Sequence, residues 1–227
     1  YLFPDMVCEP APKERTADPN TVYLTFDDGP SAKTAQVLDI LAQYNVKATF
    51  FVTGQTDEES LRLMKRIVDE GHAIGVHTYS HEYTDIYRSV EAYLDDFYKD
   101  YALIEQATGI KTNILRFAGG SVNAYNTRLY EQLIAEMTRR GFTYYDWNVA
   151  SGDAARGITA NTVIYNVLSG IDERKDKSHK IVLMHDTNDA IVQALPTIIG
   201  ALQEQQYHFE ALTNKVVPAN FVYPKGF

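Results

Sequence analysis

Five short runs hold residues whose types and spacing could do chemistry. The first is Thr25-Phe26-Asp27-Asp28-Gly29-Pro30. Asp, Gly and Pro favour turns on their own account, so two adjacent carboxylates before Gly-Pro also make an ordinary turn. Consecutive side chains at a strand end diverge, so Asp27 and Asp28 could serve two different tasks. The second run is His77-Thr78-Tyr79-Ser80-His81. Two imidazoles four residues apart can meet at one metal ion if the segment forms a helical turn, although the same spacing is common without a metal. His72, earlier in the chain, reads as a surface or loop histidine. The third run is Arg116-Phe117-Ala118-Gly119-Gly120. Its arginine could pair with a carboxylate, and its small residues could let backbone N–H groups approach a substrate oxygen; a strand end with a glycine turn would look the same.

The fourth run extends from Asp146 to Ala154 and holds Trp147, the single tryptophan, with Asp146 and Asp153 as acids near one rim. Trp147 reads either as a core aromatic or as a face on which a sugar stacks. The fifth is Leu183-Met184-His185-Asp186. One carboxylate and two imidazoles form an open metal site, with coordination positions left for water or substrate, which is a catalytic arrangement. A cation so held lowers the pKa of water and polarises a carbonyl. The donor set suits Zn²⁺, and also Co²⁺ or Ni²⁺.

The elements around these runs alternate. Short apolar strands are expected at 22–26, 47–53, 73–77, 114–117, 142–149 and 180–185, with a last one near 207–211. Helices are expected at 33–44, 57–70, 89–107, 126–140, 161–168 and 190–205, with Ser89 as an N-cap and Pro196 interrupting the last helix early. Alternating strand and helix with apolar strands means a parallel sheet covered by helices. The fold class expected is α/β, a single distorted (β/α) barrel of about seven parallel strands. Every chemical run then lies at a C-terminal strand end, where such barrels build their active sites. The first twenty residues, broken by Pro4, Pro10, Pro12 and Pro19, read as an irregular lead-in, and 21–227 as one catalytic domain.

Composition agrees with a folded enzyme. The chain has 227 residues, 45% of them hydrophobic and 22% charged, which excludes disordered and collagen-like classes. A net charge of −9 disfavours nucleic acid and anionic membrane surfaces as partners. The single cysteine, Cys8, allows no internal disulfide. No apolar run reaches the roughly 18–20 residues a bilayer demands. The first residue is Tyr1, which reads as the start of a processed or trimmed piece of a longer chain.

Together, TFDDGP, HTYSH and the three later runs resemble the polysaccharide deacetylases (the NodB homology domain, carbohydrate esterase family four), over roughly residues 22–212. The resemblance implies Asp27 as general base, Asp28, His77 and His81 as metal ligands, and Arg116 as the residue orienting the base. It implies Gly119 as an oxyanion donor through its N–H, Leu183 in the acetyl pocket and His185 as general acid. Trp147 and Asp153 are expected on the substrate side. Two departures stand out. Ala118 replaces the family's usual Pro. In the family's D-x-x-D-W motif the first Asp backs the catalytic His and the Trp walls the groove; Ala150 and Ala154 take those two places here. That leaves Asp153 or Asp146 to back His185.

The resemblance implies metal-dependent removal of acetyl groups from N- or O-acetylated polysaccharide such as peptidoglycan, chitin oligomers or xylan. It also implies a monomer acting outside the cell or at its surface. The alternatives are a hydrolase of small C–N amides on the same fold and a carbohydrate-binding relative with weakened catalysis.

Overall fold

The computed structural model describes residues 2–223. After an irregular lead-in, the elements are β1 (Thr21–Asp27), α1 (Thr34–Gln43), β2 (Thr49–Thr53), α2 (Glu58–Asp69), β3 (Ala73–Thr78), α3 (Tyr83–Ile86), α4 (Val90–Thr108), β4 (Ile114–Leu115) and α5 (Tyr130–Arg139). They continue with β5 (Thr143–Tyr144), β6 (Val149–Ala150), α6 (Ala160–Asp172), β7 (Lys180–His185), α7 (Asp189–Glu204) and β8 (His208–Phe209).

Seven strands pair in the order β5-β4-β3-β2-β1-β7-β6, and β8 pairs with the start of β1. All of these pairings are parallel. The expected distorted (β/α) barrel is therefore present, with one correction. The single strand foreseen at 142–149 is two strands, β5 and β6, at opposite ends of the path. Residues 145–148 cross the seam between them, so the sheet must curl until its two edges almost meet. A continuous strand cannot change pairing partners from one edge to the other, and the crossing backbone bonds instead to the Arg116 and Asn220 side chains and to the Leu115 and Ile181 carbonyls. Asn148 bonds the backbone on both sides of His179–Ile181 through its side chain.

Strand period two sorts the core into two layers. Val22, Leu24 and Phe26 join the large cluster between sheet and helices, whereas Tyr23 belongs to a smaller inner cluster with Phe51, Ile114, Tyr145, Ile181, Leu212 and Val216. Continuing the inner alternation leads from Tyr23 to Thr25 and Asp27, from Phe51 to Thr53, from Ala73 to His77, from Ile114 to Arg116, and from Ile181 to Leu183 and His185. The apolar part of each inner row fills the base of the barrel. The polar part reaches its C-terminal mouth. Leu212 and Val216 close the base, where the single Tyr145 hydroxyl proton is shared between the Thr213 and Val216 carbonyls, 2.6 and 2.8 Å from Oη.

The helices keep the expected order, with smaller differences. Ser89 caps α4 by accepting from Ala92 N–H. The helix foreseen from residue 126 starts at Tyr130, because residues 121–126 are held in side-chain-bonded turns around Asn123 and Asn126. Pro196 lies inside α7 without ending it; a proline removes one hydrogen bond, and five α7 residues with no exposure beside it (Ile191, Ala194, Leu195, Ile198, Ile199) hold the helix in place by packing. His72 is a correction as well. It is in a loop but buried, and its Nδ1 accepts from Ala48 N–H at 3.1 Å. Burial and the cations Lys47 and Arg66 push its pKa down to about 4.

Candidate active site

Asp28 has φ 73 and His81 has φ 57. Both lie in the left-handed region, which Asp and His tolerate better than most residues and which recurs at functional sites. Asp28 turns away from the inward row that ends at Asp27, and His81 turns back toward His77. The segment between the histidines is not the helical turn on which their meeting was made conditional. β3 ends at Thr78, and two bends carry the chain to His81. The convergence is the same. Asp28 Oδ1 lies 3.2 Å from His77 Nε2 and 3.1 Å from His81 Nε2.

The tautomer of His77 is set from behind. Its Nδ1–H donates to the Arg116 carbonyl at 2.8 Å, which leaves Nε2 to present a lone pair to Asp28. Asp28 Oδ1 is buried and receives no hydrogen bond. A buried carboxylate oxygen facing two imidazole nitrogens at about 3 Å fits a cation between them: three single-atom donors lie within 4.8 Å of one another.

Arg116 is the organising side chain. It has no exposure, yet each nitrogen has a partner. Nε donates to the Tyr145 carbonyl at 2.8 Å and Nη2 to the Asp146 carbonyl at 2.9 Å. Nη1 donates to Thr25 Oγ1 at 2.6 Å and Asp27 Oδ1 at 2.9 Å. The guanidinium therefore clamps the seam to β1 and pins Asp27. Its plane packs between Phe51 and Trp147, 4.5 and 5.6 Å from their ring centres. Asp27 Oδ2 lies 3.9 Å from His77 Nε2, beside the point where Asp28, His77 and His81 converge rather than within it.

His185 faces this group across the β1–β7 ladder, where it is the register partner of Asp27. Its Nε2 is 3.8 Å from Asp28 Oδ2. Its Nδ1 donates to Asp153 Oδ1 at 3.0 Å, and its backbone N–H donates to Asp153 Oδ2 at 2.9 Å. Burial alone would lower the pKa of His185, but Asp153, Asp27 and Asp28 raise it to about 9. Asp153 is thus buried behind His185, not on the substrate side as expected. Asp146, the other acid weighed as support for His185, is elsewhere: it accepts from Ser121 N–H and Phe221 N–H.

Gly119 sits at φ 77 in a turn closed by Gly120 N–H on the Phe117 carbonyl at 2.8 Å. An added Cβ would lie 3.0 Å from the Tyr83 ring, so glycine is demanded by backbone and space together. Ala118, in place of proline, does not leave the turn loose. Its carbonyl accepts from Tyr87 Oη at 2.6 Å and Asn123 Nδ2 at 3.0 Å. Leu183 is half-buried on the inward row one step before His185. Trp147 is half-buried against Phe221, ring centres 4.8 Å apart. Ala150 and Ala154 are exposed.

Four supporting residues escaped sequence reasoning: Thr25, Tyr83, Asn188 and Asp96. Thr25 was signalled by strand period two, two residues before Asp27. Tyr83 stands 5.2 Å from the His81 ring, and Asn188 Nδ2 donates to Asp153 Oδ2 at 2.9 Å. Nothing local signals the last two contacts. Asp96 was signalled by a carboxylate on the apolar face of α4.

The same organisation is found in known proteins. The catalytic domain of peptidoglycan N-acetylglucosamine deacetylase from Eubacterium rectale superposes with a TM-score of 0.85 at 36% identity, covering 96% of this chain and 98% of that one. A peptidoglycan-N-acetylglucosamine deacetylase of Bacillus cereus is 32% identical over 88% of this chain and 72% of its own length. A bifunctional xylanase/deacetylase of Pseudobutyrivibrio xylanivorans is 33% identical over 86% of this chain, which spans 30% of that longer protein. The sequence model of the polysaccharide deacetylases matches residues 14–138, taking in the Asp27-Asp28 turn, both histidines of the triad and Arg116. With barrel, mouth and motifs in agreement, the chain belongs to the polysaccharide deacetylase family.

Proposed function

We propose that this hydrolase removes the N-acetyl group from N-acetylglucosamine units of peptidoglycan, using a zinc ion held by Asp28, His77 and His81. The observation that carries the reading is the convergence of Asp28 Oδ1 with two imidazole Nε2 atoms, flanked by an arginine-pinned Asp27 and an aspartate-backed His185. Its donor set suits Zn²⁺, with Co²⁺ or Ni²⁺ as substitutes. A cation bound there would supply Lewis acidity toward the acetyl carbonyl and acidify water at the same point.

The chain's own groups divide the remaining work. Asp27, with one oxygen committed to Arg116, uses the other to take a proton from the attacking water. The Gly119 N–H is available to the oxygen of the tetrahedral intermediate. His185, protonated at neutral pH because Asp153 supports the imidazolium, gives its proton to the departing amine as the C–N bond breaks. Acetate and the free amino sugar are the products. Leu183, one step before His185 on the same inward row, lines the place where the acetyl methyl lies. Trp147 offers a ring at the rim for the sugar.

Peptidoglycan is favoured because the Eubacterium and Bacillus relatives carry that substrate in their names. Action on a wall polymer, as the names of the relatives give it, supports a location outside the cell or at its surface. No helix among the described residues is long and apolar enough to cross a membrane. A second reading, removal of O-acetyl groups from xylan, is supported by the Pseudobutyrivibrio relative.

Acetate release from peptidoglycan, chitooligosaccharides, acetylated xylan and a small acetamide tests both readings. Preferred turnover of peptidoglycan, lost on chelation and restored by Zn²⁺, is expected. Preferred turnover of acetylxylan would favour the second reading, and turnover of the small amide alone would contradict both.

A further inference from the structure

Helix α4 carries aspartates at positions 96 and 100 on its buried face, amid Tyr93, Phe97 and Ile104. A carboxylate in such a place needs donors. Asp96 has them in the metal-site turn. Its Oδ1 accepts from Tyr79 N–H at 2.6 Å, and its Oδ2 accepts from Ser80 N–H at 3.1 Å. These two N–H groups lie between Thr78, where β3 ends, and His81, whose φ of 57 is a conformation that costs free energy unless its surroundings hold it.

We propose that Asp96 is a positioning residue of the metal centre: from α4 it fixes the Tyr79–Ser80 backbone, and through it the approach of His81 to His77 and Asp28. The inference rests on the metal site described above, and extends it to a residue on another element. β3 holds His77 at a register shift between the paired Val76 and Thr78, and the Arg116 carbonyl fixes its ring. The His81 side chain is about a third exposed and lies beyond the ladder, so its location depends on the turn. The Gly54 N–H bond to the Tyr79 carbonyl anchors the turn's other side, at 3.0 Å. Asp96 supplies the two bonds on the helix side. Without them, His81 samples other backbone states and the cation keeps two ligands for part of the time.

Metal affinity measured without substrate separates this role from catalysis and from stability. Zn²⁺ and Co²⁺ dissociation constants of the folded wild-type chain, Asp96→Ala, Asp96→Asn and the stability control Leu103→Ala would be compared. Leu103 lies on the same helix and touches none of the turn bonds. Loss of a group that orients a ligand typically weakens metal binding about 10- to 100-fold. Asp96→Ala is expected in that range. Asp96→Asn, which keeps an acceptor oxygen, should fall between it and wild type, and Leu103→Ala should bind as wild type. The visible Co²⁺ spectrum of Asp96→Ala should shift as the His81 ligand is loosened. If Asp96→Ala does not fold, weakened binding by Asp96→Asn against unchanged Leu103→Ala supports the proposal. Unchanged affinity and spectrum in the folded Asp96 variants would overturn it, as would equal weakening by Leu103→Ala. A wild-type chain that binds neither metal would remove the metal site itself, whereas a tight metal site without deacetylation leaves the role of Asp96 standing.

Discussion

Asp27 and Asp28 are neighbours in sequence with different environments. Asp27 is buried and paired with Arg116, while Asp28 turns through a left-handed backbone toward two histidines. Asp27→Asn keeps the shape and the Asp28 triad but removes the base. We expect kcat to fall about 10²- to 10⁴-fold, with Zn²⁺ affinity nearly unchanged, as read by acetate release and by metal titration; a variant with full activity would remove Asp27 from the mechanism. The second prediction concerns Asp153. His185 is the acid only while protonated, and its pKa is raised to about 9 by Asp153 and the nearby carboxylates. Activity therefore falls on the alkaline side as His185 loses its proton. Asp153→Asn removes the nearest negative charge, so this limb should move to lower pH, and activity at pH 8 should suffer more than at pH 6. A kcat/KM profile checks the shift, and an unmoved limb would contradict it. The two adjacent aspartates, the paired histidines and His185 were legible as local motifs. The contact of Asp153 with His185 was legible only as one of two alternatives, beside Asp146, because the choice depends on the path of a loop 32 positions away in sequence.

At the scale of elements, strand period two does most of the positioning. One face of β1, β3 and β7 ends in Asp27, His77 and His185, and that alternation was readable in advance. The split of β5 from β6 was not. Both are two-residue strands, too short for periodicity to register, and their separation follows from closure of the sheet rather than from local preference. The turn before His81 was not fixed in advance for a related reason: its geometry comes from Asp96 on α4 and from Gly54 on the loop after β2. Asn188 joins an element boundary to the site. Its Oδ1 caps α7 at Ile191 N–H, 3.0 Å, while its Nδ2 holds Asp153. Asn188→Ala should cost about 1 kcal/mol through the lost cap, lowering Tm by about 2–4 °C for a chain of this size. It should also move the alkaline limb to higher pH, because Asp153 no longer shares its charge with the Asn188 amide and supports the His185 imidazolium more strongly; loss of the cap alone would leave the profile where it was. Thermal unfolding and the pH profile together distinguish these contributions.

At the scale of the whole molecule, the lead-in pairs with the C-terminal segment at Thr16 and Val216, and its first residues brace the end of α5. Arg140 is buried at the end of α5. It donates to the Leu2, Phe3 and Met6 carbonyls at 2.7, 2.8 and 3.2 Å, and to Glu136 at 2.8 Å. Arg140→Met leaves these carbonyls without their donor and should destabilise the chain by about 2–4 kcal/mol. None of these bonds touches the mouth of the barrel, so kcat at low temperature should change less than about twofold. Urea unfolding and initial rates test the two halves of that statement. Cys8 belongs to this brace. Burial raises its thiol pKa to about 11, which suits packing rather than reactivity. The alternation of apolar strands with helices, in a chain of this length, was enough to foresee one α/β barrel, and the charge of −9 excluded classes of partner without selecting a polysaccharide.

The central claim is that one cation, held by Asp28, His77 and His81, serves the hydrolysis carried out with Asp27 and His185. Its most direct test is acetate release from peptidoglycan by metal-stripped protein during titration with Zn²⁺. The rate should rise in proportion to added metal and level off at about one equivalent per chain, and His77→Ala should show no such rise. Full activity in the metal-free protein, or in His77→Ala, would contradict the account.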